Sequence, residues 1–183
     1  MQPAEYISLL ADMIKTADVL TYQHCLRTAA YARAYTQHTG LADDCIYCGL
    51  LLHDIGKIFV PESITSRTGK LSKSEYSIMR RHAIDGYSLV SASMLPQAVL
   101  DIILCHHERW DGSGYPYGLK GDEIPVMARI AAVIDAFDAM TSYRPYRQAQ
   151  PVQAALAELR RNAGTQFESS TVQMFAQFVQ ENI

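Results

Sequence analysis

Apolar residues recur at three- and four-residue spacing along nearly the whole chain, the period of helices that each bury one face. The pattern predicts helices over 4–17, 21–39, 42–54, 72–91, 96–107, 124–142, 151–162 and 171–182. End signals agree with it. Ser72, followed three residues later by Glu75, makes a capping box. Pro96 and Pro151 suit first-turn positions, and Gly40 and Gly164 suit C-terminal stops. No stretch alternates over six residues, although 58–71 (IFVPESITSRTGKL) has room for a short hairpin-like turn. With no repeat, low-complexity segment or linker, the expected architecture is all-α: one helical bundle of seven to eight helices over 1–183, with 1–20 as an accessory N-terminal helix.

Two of these helices are unusually apolar. GLLLHDIGK (49–57) runs four nearly apolar residues straight into His53 and Asp54. VMARIAAVIDAFDAM (126–140) carries only Arg129, Asp135 and Asp138 as charges. An ionised carboxylate in such a helix is costly unless something positive meets it. Asp135 and Asp138, three apart, share a face and can share a partner.

Composition narrows the class. The 183 residues carry a formal net charge of −3 and are 49% hydrophobic, enough for one well-buried domain. Mild acidity gives no basic face for a nucleic acid polymer or a membrane surface. No apolar run is long enough to span a bilayer, and MQPAEYISLL lacks the basic start of a signal peptide. The expectation is a cytoplasmic protein whose cysteines, Cys25, Cys45, Cys48 and Cys105, stay reduced. Cys45 and Cys48 form a CxxC without a second pair or a thioredoxin-like context, and read as helical core residues.

Histidine placement adds chemistry. Of six histidines, His24, His53, His82 and the adjacent His106 and His107 fall on four predicted helices, with Asp54 and Asp135 among apolar neighbours; only His38 stands apart. The positions 24, 53–54, 82, 106–107 and 135 are separated by one helix plus connections each time. A bundle builds an interior metal site in this way, with one or two ligands per helix. A single histidine on an apolar helix is ordinarily a hydrogen-bonded core residue, but here few polar partners are available for five. Five His and two Asp exceed one tetrahedral zinc and suit two metals sharing a carboxylate. The mixed ligand set points to Fe, Mn or Zn rather than Mg or Ca. Adjacent imidazoles diverge on a helix face, so His106 and His107 belong at a helix C-terminus, where carbonyls favour a nearby cation.

At these residues a family resemblance enters. HDIGK (53–57) resembles the His-Asp pair of the HD phosphohydrolase superfamily, and HHERWDGSGYP (106–116) is similar to the signature of HD-GYP domains, bacterial phosphodiesterases acting on cyclic di-GMP. KIFVPESITSRTGKLSKSEYSIMRRH (57–82), VIDAFDAMTSYRPYR (133–147) and GTQFESSTVQMF (164–175) follow the family in order, so the resemblance covers about 20–178. It implies that His24, His53, Asp54 and Asp135 hold one metal and that His82, His106 and His107 hold a second, with Asp54 bridging. It further implies two divalent cations, Fe or Mn ahead of Zn, Ni or Co, and a hydroxide between them as nucleophile. Lys57 would reach a substrate phosphate and, with Asp54, serve catalysis. Tyr115, Asp138, Arg144 and Arg147 match positions that contact the nucleotide or line its pocket. Trp110 reads as packing that props the loop. Some members add a third metal with a Glu where this chain has Leu20, so two metals are expected; Glu168 replaces a common Asp and is expected to brace a helix. The implied reaction is hydrolysis of cyclic di-GMP to pGpG, with a second cut to GMP left open. The alternatives are 3′,3′-cyclic GMP-AMP as substrate, or a regulatory module that docks diguanylate cyclase domains. Oligomeric state stays open.

Overall fold

The computed structural model describes residues 3–41, 44–143 and 148–183. Its helices are α1 (Pro3–Ala17), α2 (Val19–Thr39), α3 (Asp44–Leu52), α4 (Glu62–Thr65), α5 (Lys73–Arg80), α6 (His82–Val90), α7 (Gln97–Cys105), α8 (Val126–Thr141), α9 (Val152–Arg161) and α10 (Ser169–Asn182). Short 3-10 turns follow α3 (Ile55–Phe59) and precede α8 (Gly121–Glu123). Among the described residues the only β-type pairing is an isolated bridge between Ala163 and Phe167. The all-α expectation holds.

Local chemistry sets the boundaries. Asp18 caps α2 by accepting from the Leu20 N–H, and Gly40 ends that helix at φ +70, a conformation glycine adopts freely. The Ser72–Glu75 capping box is formed at the start of α5. Pro96 and Pro151 sit one residue earlier than expected, as N-caps with extended ψ, where a missing N–H costs nothing. The 58–71 segment contains no hairpin; it holds the end of the 3-10 turn and the single-turn α4.

The predicted helix over 72–91 is two helices. It breaks at Arg81, whose N–H turns to the Ile78 carbonyl. His82 Nδ1 donates to the Met79 carbonyl at 2.6 Å, so a side chain takes a bond in the last turn of α5 before α6 begins.

Two apolar clusters flank the site. One joins α2, α3, α8, α9 and α10 around Tyr35, Phe137, Phe175 and Phe178. The other joins α1, the end of α3, α6 and α7 around Ile14, Leu52, Ile55 and Ile103, with Cys45 and Cys48 packed against it. Cys25 and Cys105 are buried without disulfides. The 3-10 turn approaches α6 so closely that a β-carbon at Gly56 would run into the His82 carbonyl and the Gly86 backbone. That contact sets Asp54 beside His82.

Candidate metal centre

The five histidines come from helix ends and one helix interior. His53 follows the last residue of α3, His82 follows the break after α5, and His106 caps α7 with His107 next to it. The last-turn carbonyls of a helix lack intrahelical partners. His53 Nδ1 donates to the Leu50 carbonyl at 2.7 Å, His82 to Met79 at 2.6 Å, and His106 to Ile102 and Ile103 at 3.1 Å each. With the proton held on Nδ1, each Nε2 keeps its lone pair, the form a metal requires. His24, within α2, is fixed by Asp138, whose Oδ2 lies 2.6 Å from Nδ1.

The free nitrogens and carboxylates converge in two groups, each with its ligand atoms within 4.8 Å of one another: His24, His53 and Asp135 in the first, Asp54, His82, His106 and His107 in the second. Asp54, a member of the second group, also reaches towards the first. Its Oδ2 lies 3.4 Å from His53 Nε2 and 4.0 Å from His24 Nε2, while Oδ1 lies 3.5 Å from His82 Nε2. His24 Nε2 meets Asp135 Oδ1 at 2.9 Å, and the His82 and His106 Nε2 atoms are 3.3 Å apart. Ligands about 2.1 Å from one cation stand roughly 3–3.5 Å from each other, so the spacing fits.

An orphan atom makes the same point. Asp54 is 1% exposed, and its Oδ1 has no hydrogen-bond partner. A buried carboxylate oxygen left bare is expensive, and a cation between it and His82 removes the cost. The thiol of Cys25 also comes near His53 and Asp54, but it lies 3.9 Å from Nδ1, on the far side of the ring from the free nitrogen. Burial raises its pKa well above the usual thiol value in the metal-free protein.

Protonation follows from the same surroundings. Burial, with further help from neighbouring imidazoles, pushes the His106 pKa well down, and burial takes His107 to about 3. Burial also opposes charge on His24, but its hydrogen bonds to Asp135 and Asp138 outweigh it and raise that pKa to about 9. Burial would raise the Asp54 pKa, yet Lys57 and the surrounding histidines hold it well below the carboxylate range. Lys57 Nζ is 2.7 Å from Asp54 Oδ2. Although burial works against its charge, Asp54 raises its pKa, so Lys57 stays cationic.

A cavity of about 470 Å³ opens onto the metal groups, walled by His24, Arg27, Lys57, His82, His107 and Tyr115. A second, of about 230 Å³, lies beyond Lys57 and Asp54. Lys57 and Tyr115 therefore both line the first cavity. Asp138 does not. It is 0% exposed, and its oxygens are engaged by His24, by Arg27 (2.8 and 3.0 Å) and by the Ser142 hydroxyl (2.8 Å). It orients His24 and has no surface for a nucleotide. Arg144 and Arg147 lie outside the described residues. Leu20 is exposed at the cavity rim and offers no ligand atom.

Two further contributors carry no role in the sequence reading. Arg27, one helical turn from His24, is clamped by Asp138 and faces the cavity. Glu108, 4% exposed, accepts backbone N–H groups from Tyr117, Gly118 and Leu119 at 2.7, 3.2 and 3.0 Å, closing the loop after His107. Gly114 is needed where the loop crosses itself, because a β-carbon there would strike the Glu108 and Arg109 backbone. The Trp110 N–H donates to the Gln166 carbonyl and its ring lies under Arg129. Arg129 also bonds Glu168, which accepts from Thr171 at 2.6 Å, so Trp110 props the loop and Glu168 braces α10.

Comparison with known proteins decides the family. A family model described as an HD domain matches residues 8–171. The chain belongs to the HD domain family. This HD domain is 36% identical, over 97% of its length and 50% of the relative's, to a protein of Thermotoga maritima named cyclic di-GMP phosphodiesterase. It is 34% identical, over 98% of its length and 38% of the relative's, to a Vibrio cholerae protein named 3'3'-cGAMP-specific phosphodiesterase 2. The chain thus spans half or less of these relatives. Among solved structures, Bd1817, an HDG"Y"P protein from Bdellovibrio bacteriovorus, shares the fold with a TM-score of 0.70 at 22% identity, over 86% of this chain and 51% of that one.

Proposed function

We propose that this HD domain is a phosphodiesterase that uses two divalent cations to hydrolyse a cyclic dinucleotide, cyclic di-GMP first, to linear pGpG. The observation that carries the reading is Asp54, whose two oxygens reach into two separate groups of imidazoles while Lys57 stands beside it. His24, His53, Asp54 and Asp135 would hold one cation, and Asp54, His82, His106 and His107 the other. Five imidazoles with two carboxylates suit Fe or Mn, with Zn, Ni or Co also compatible, better than Mg or Ca. When bound, such a pair supplies positive charge for the phosphoryl oxygens and a water acidified towards neutral pH.

The chain's own residues prepare the rest. Lys57, held cationic by Asp54 and lining both cavities, is placed to meet a phosphate oxygen. Arg27 adds a second fixed cation to the same wall. Tyr115 borders the cavity and is proposed to touch the ligand from its edge. This reading has the domain act in the cytoplasm, where thiols such as Cys25 and Cys105 stay reduced. The Vibrio cholerae relative gives 3′,3′-cyclic GMP-AMP the standing of a second substrate reading.

Metal quantification on anaerobically prepared protein, paired with product analysis on both cyclic dinucleotides, tests the proposal. Two Fe or Mn per chain with pGpG as product is the expected result. Asp54→Ala should lose metal and cut turnover by roughly 100- to 1,000-fold. A metal-loaded chain that cleaves neither dinucleotide rejects the enzyme reading and favours a binding module.

A further inference from the structure

Four of the five imidazoles are locked through Nδ1, His24 by a carboxylate and His53, His82 and His106 by backbone carbonyls. His107 is different: among the described residues no hydrogen bond reaches either of its ring nitrogens. It has ring contacts in place of a hydrogen bond, the His106 and His82 centroids lying 4.1 and 5.0 Å away and Tyr115 packing on it as well. The Tyr115 and His107 centroids are 4.7 Å apart at an interplanar angle of 31°. The Tyr115 N–H also donates to the His107 carbonyl at 3.2 Å, so the loop folds back onto the histidine it follows. Arg80 places its guanidinium carbon 4.5 Å from the Tyr115 centroid. Tyr76, four residues before Arg80 on α5, flanks the pair, 5.8 Å from the guanidinium and 6.5 Å from the Tyr115 ring.

We propose that Arg80 and Tyr115 are positioning residues for the second cation, fixing the His107 ring by a guanidinium–phenol–imidazole stack as carbonyls fix the other rings. The inference rests on reading His107 as a metal ligand. A guanidinium is drawn to the electron-rich face of a tyrosine, and its planar, weakly hydrated form suits such a contact better than an ammonium. Once Arg80 immobilises Tyr115, the imidazole packed on that ring loses little further freedom when it ligates. Without the stack, His107 keeps its contacts with the His82 and His106 rings, and the cation itself must supply the rest of its ordering. The cost falls on one of the two cations, because the first group (His24, His53, Asp135) does not touch Tyr115. Arg80 also lies two residues before His82, so α5 ends with the clamp and α6 begins with a ligand of the same cation. The stack uses the tyrosine ring and not its hydroxyl.

The test is titration of the metal-free full chain with Mn(II), by calorimetry with electron paramagnetic resonance to count bound ions. The unaltered chain should bind two equivalents. Arg80→Ala and Tyr115→Leu should keep one and bind the other about tenfold more weakly or worse, the usual cost of losing a group that orients a ligand. Tyr115→Phe, which retains the ring, should bind both as the unaltered chain does. His107→Ala should lose the same equivalent, and adding Arg80→Ala to it should cost nothing more. Circular dichroism checks folding; if Tyr115→Leu unfolds, Arg80→Ala carries the result. Full binding of both equivalents by Arg80→Ala overturns the proposal, as does a Tyr115→Phe defect as large as that of Tyr115→Leu. An unaltered chain with a single equivalent overturns it too, together with the two-cation reading. Two equivalents without turnover of either cyclic dinucleotide, with the Arg80→Ala loss intact, uphold the stack and reject only the phosphodiesterase activity.

Discussion

Asp138 shows how a residue's type and its exposure divide the labour. It sits three residues from Asp135 on α8, yet Asp135 meets Nε2 of His24 and Asp138 meets Nδ1 of the same ring. Sandwiched between two carboxylates, His24 is a cation in the metal-free protein, with its pKa raised to about 9. A metal must displace that proton. Asp138→Asn leaves an acceptor but removes the charge that orients His24 and holds Arg27. It should weaken the cation of the His24, His53 and Asp135 group by roughly 10- to 100-fold, measured by equilibrium dialysis, with overall helicity unchanged. Undiminished affinity would assign Asp138 a merely structural part.

At the scale of elements, the recurring device is the helix C-terminus. α3, α5 and α7 each stop where a histidine ring nitrogen donates to a last-turn carbonyl, so termination of the helix and orientation of the ring are one event. The packing of these ends is tight at one point. Gly56 lets the 3-10 turn after α3 lie on the first turn of α6, bringing Asp54 to His82. Gly56→Ala must push the turn off α6 against backbone atoms that cannot rotate away. A loss of about 1–3 kcal/mol in urea unfolding is expected, with a fall in metal content that a stability loss elsewhere would not cause. The loop after α7 is a second such element: Glu108 gathers three N–H groups and Gly114 permits the crossing, which aims Tyr115 at His107.

Across the whole molecule, the metal-free protein buries neutral imidazoles that the unfolded chain would protonate. The folded pKa of His106 is pushed well down and that of His107 to about 3, both by burial. With folded values below unfolded ones, their contribution is intact above about pH 6.5 and is lost as pH falls from there towards the folded values. Each such histidine costs about 1.4 kcal/mol per pH unit in that window. The Tm of the metal-free chain should therefore drop by about 5 °C or more between pH 6.5 and 4.5, before most carboxylates titrate. His24 acts in the opposite sense: its raised pKa stabilises fully below pH 6.5, and that share fades as pH rises towards 9. A thermal melt series on chelator-treated protein checks both limbs, and a flat acid limb would contradict the buried neutral imidazoles.

The sequence by itself determined the class and singled out the histidines and aspartates that the fold brings together. Helical periodicity, the Ser72–Glu75 box and Gly40 were readable because they depend on neighbours within a turn or two. The recurrence of His and Asp once per helix was readable because buried polar groups stand out against apolar runs. The break at Arg81 was not, since the bond that makes it comes from the His82 side chain while the apolar period runs on unbroken. The shared partner of Asp135 and Asp138 was readable from their spacing and is His24; that Asp138 would be closed off from the cavity was not, because its burial depends on Arg27 and Ser142 bonding over it. Arg27 and the Arg80–Tyr115–His107 stack were invisible as well, for they join segments that only packing brings together, and Glu108 was passed over because the loop must close before its three N–H partners meet it. Tertiary structure alone decided that the two oxygens of Asp54 divide between two groups, because that division depends on distances across four helices rather than on any spacing along the chain.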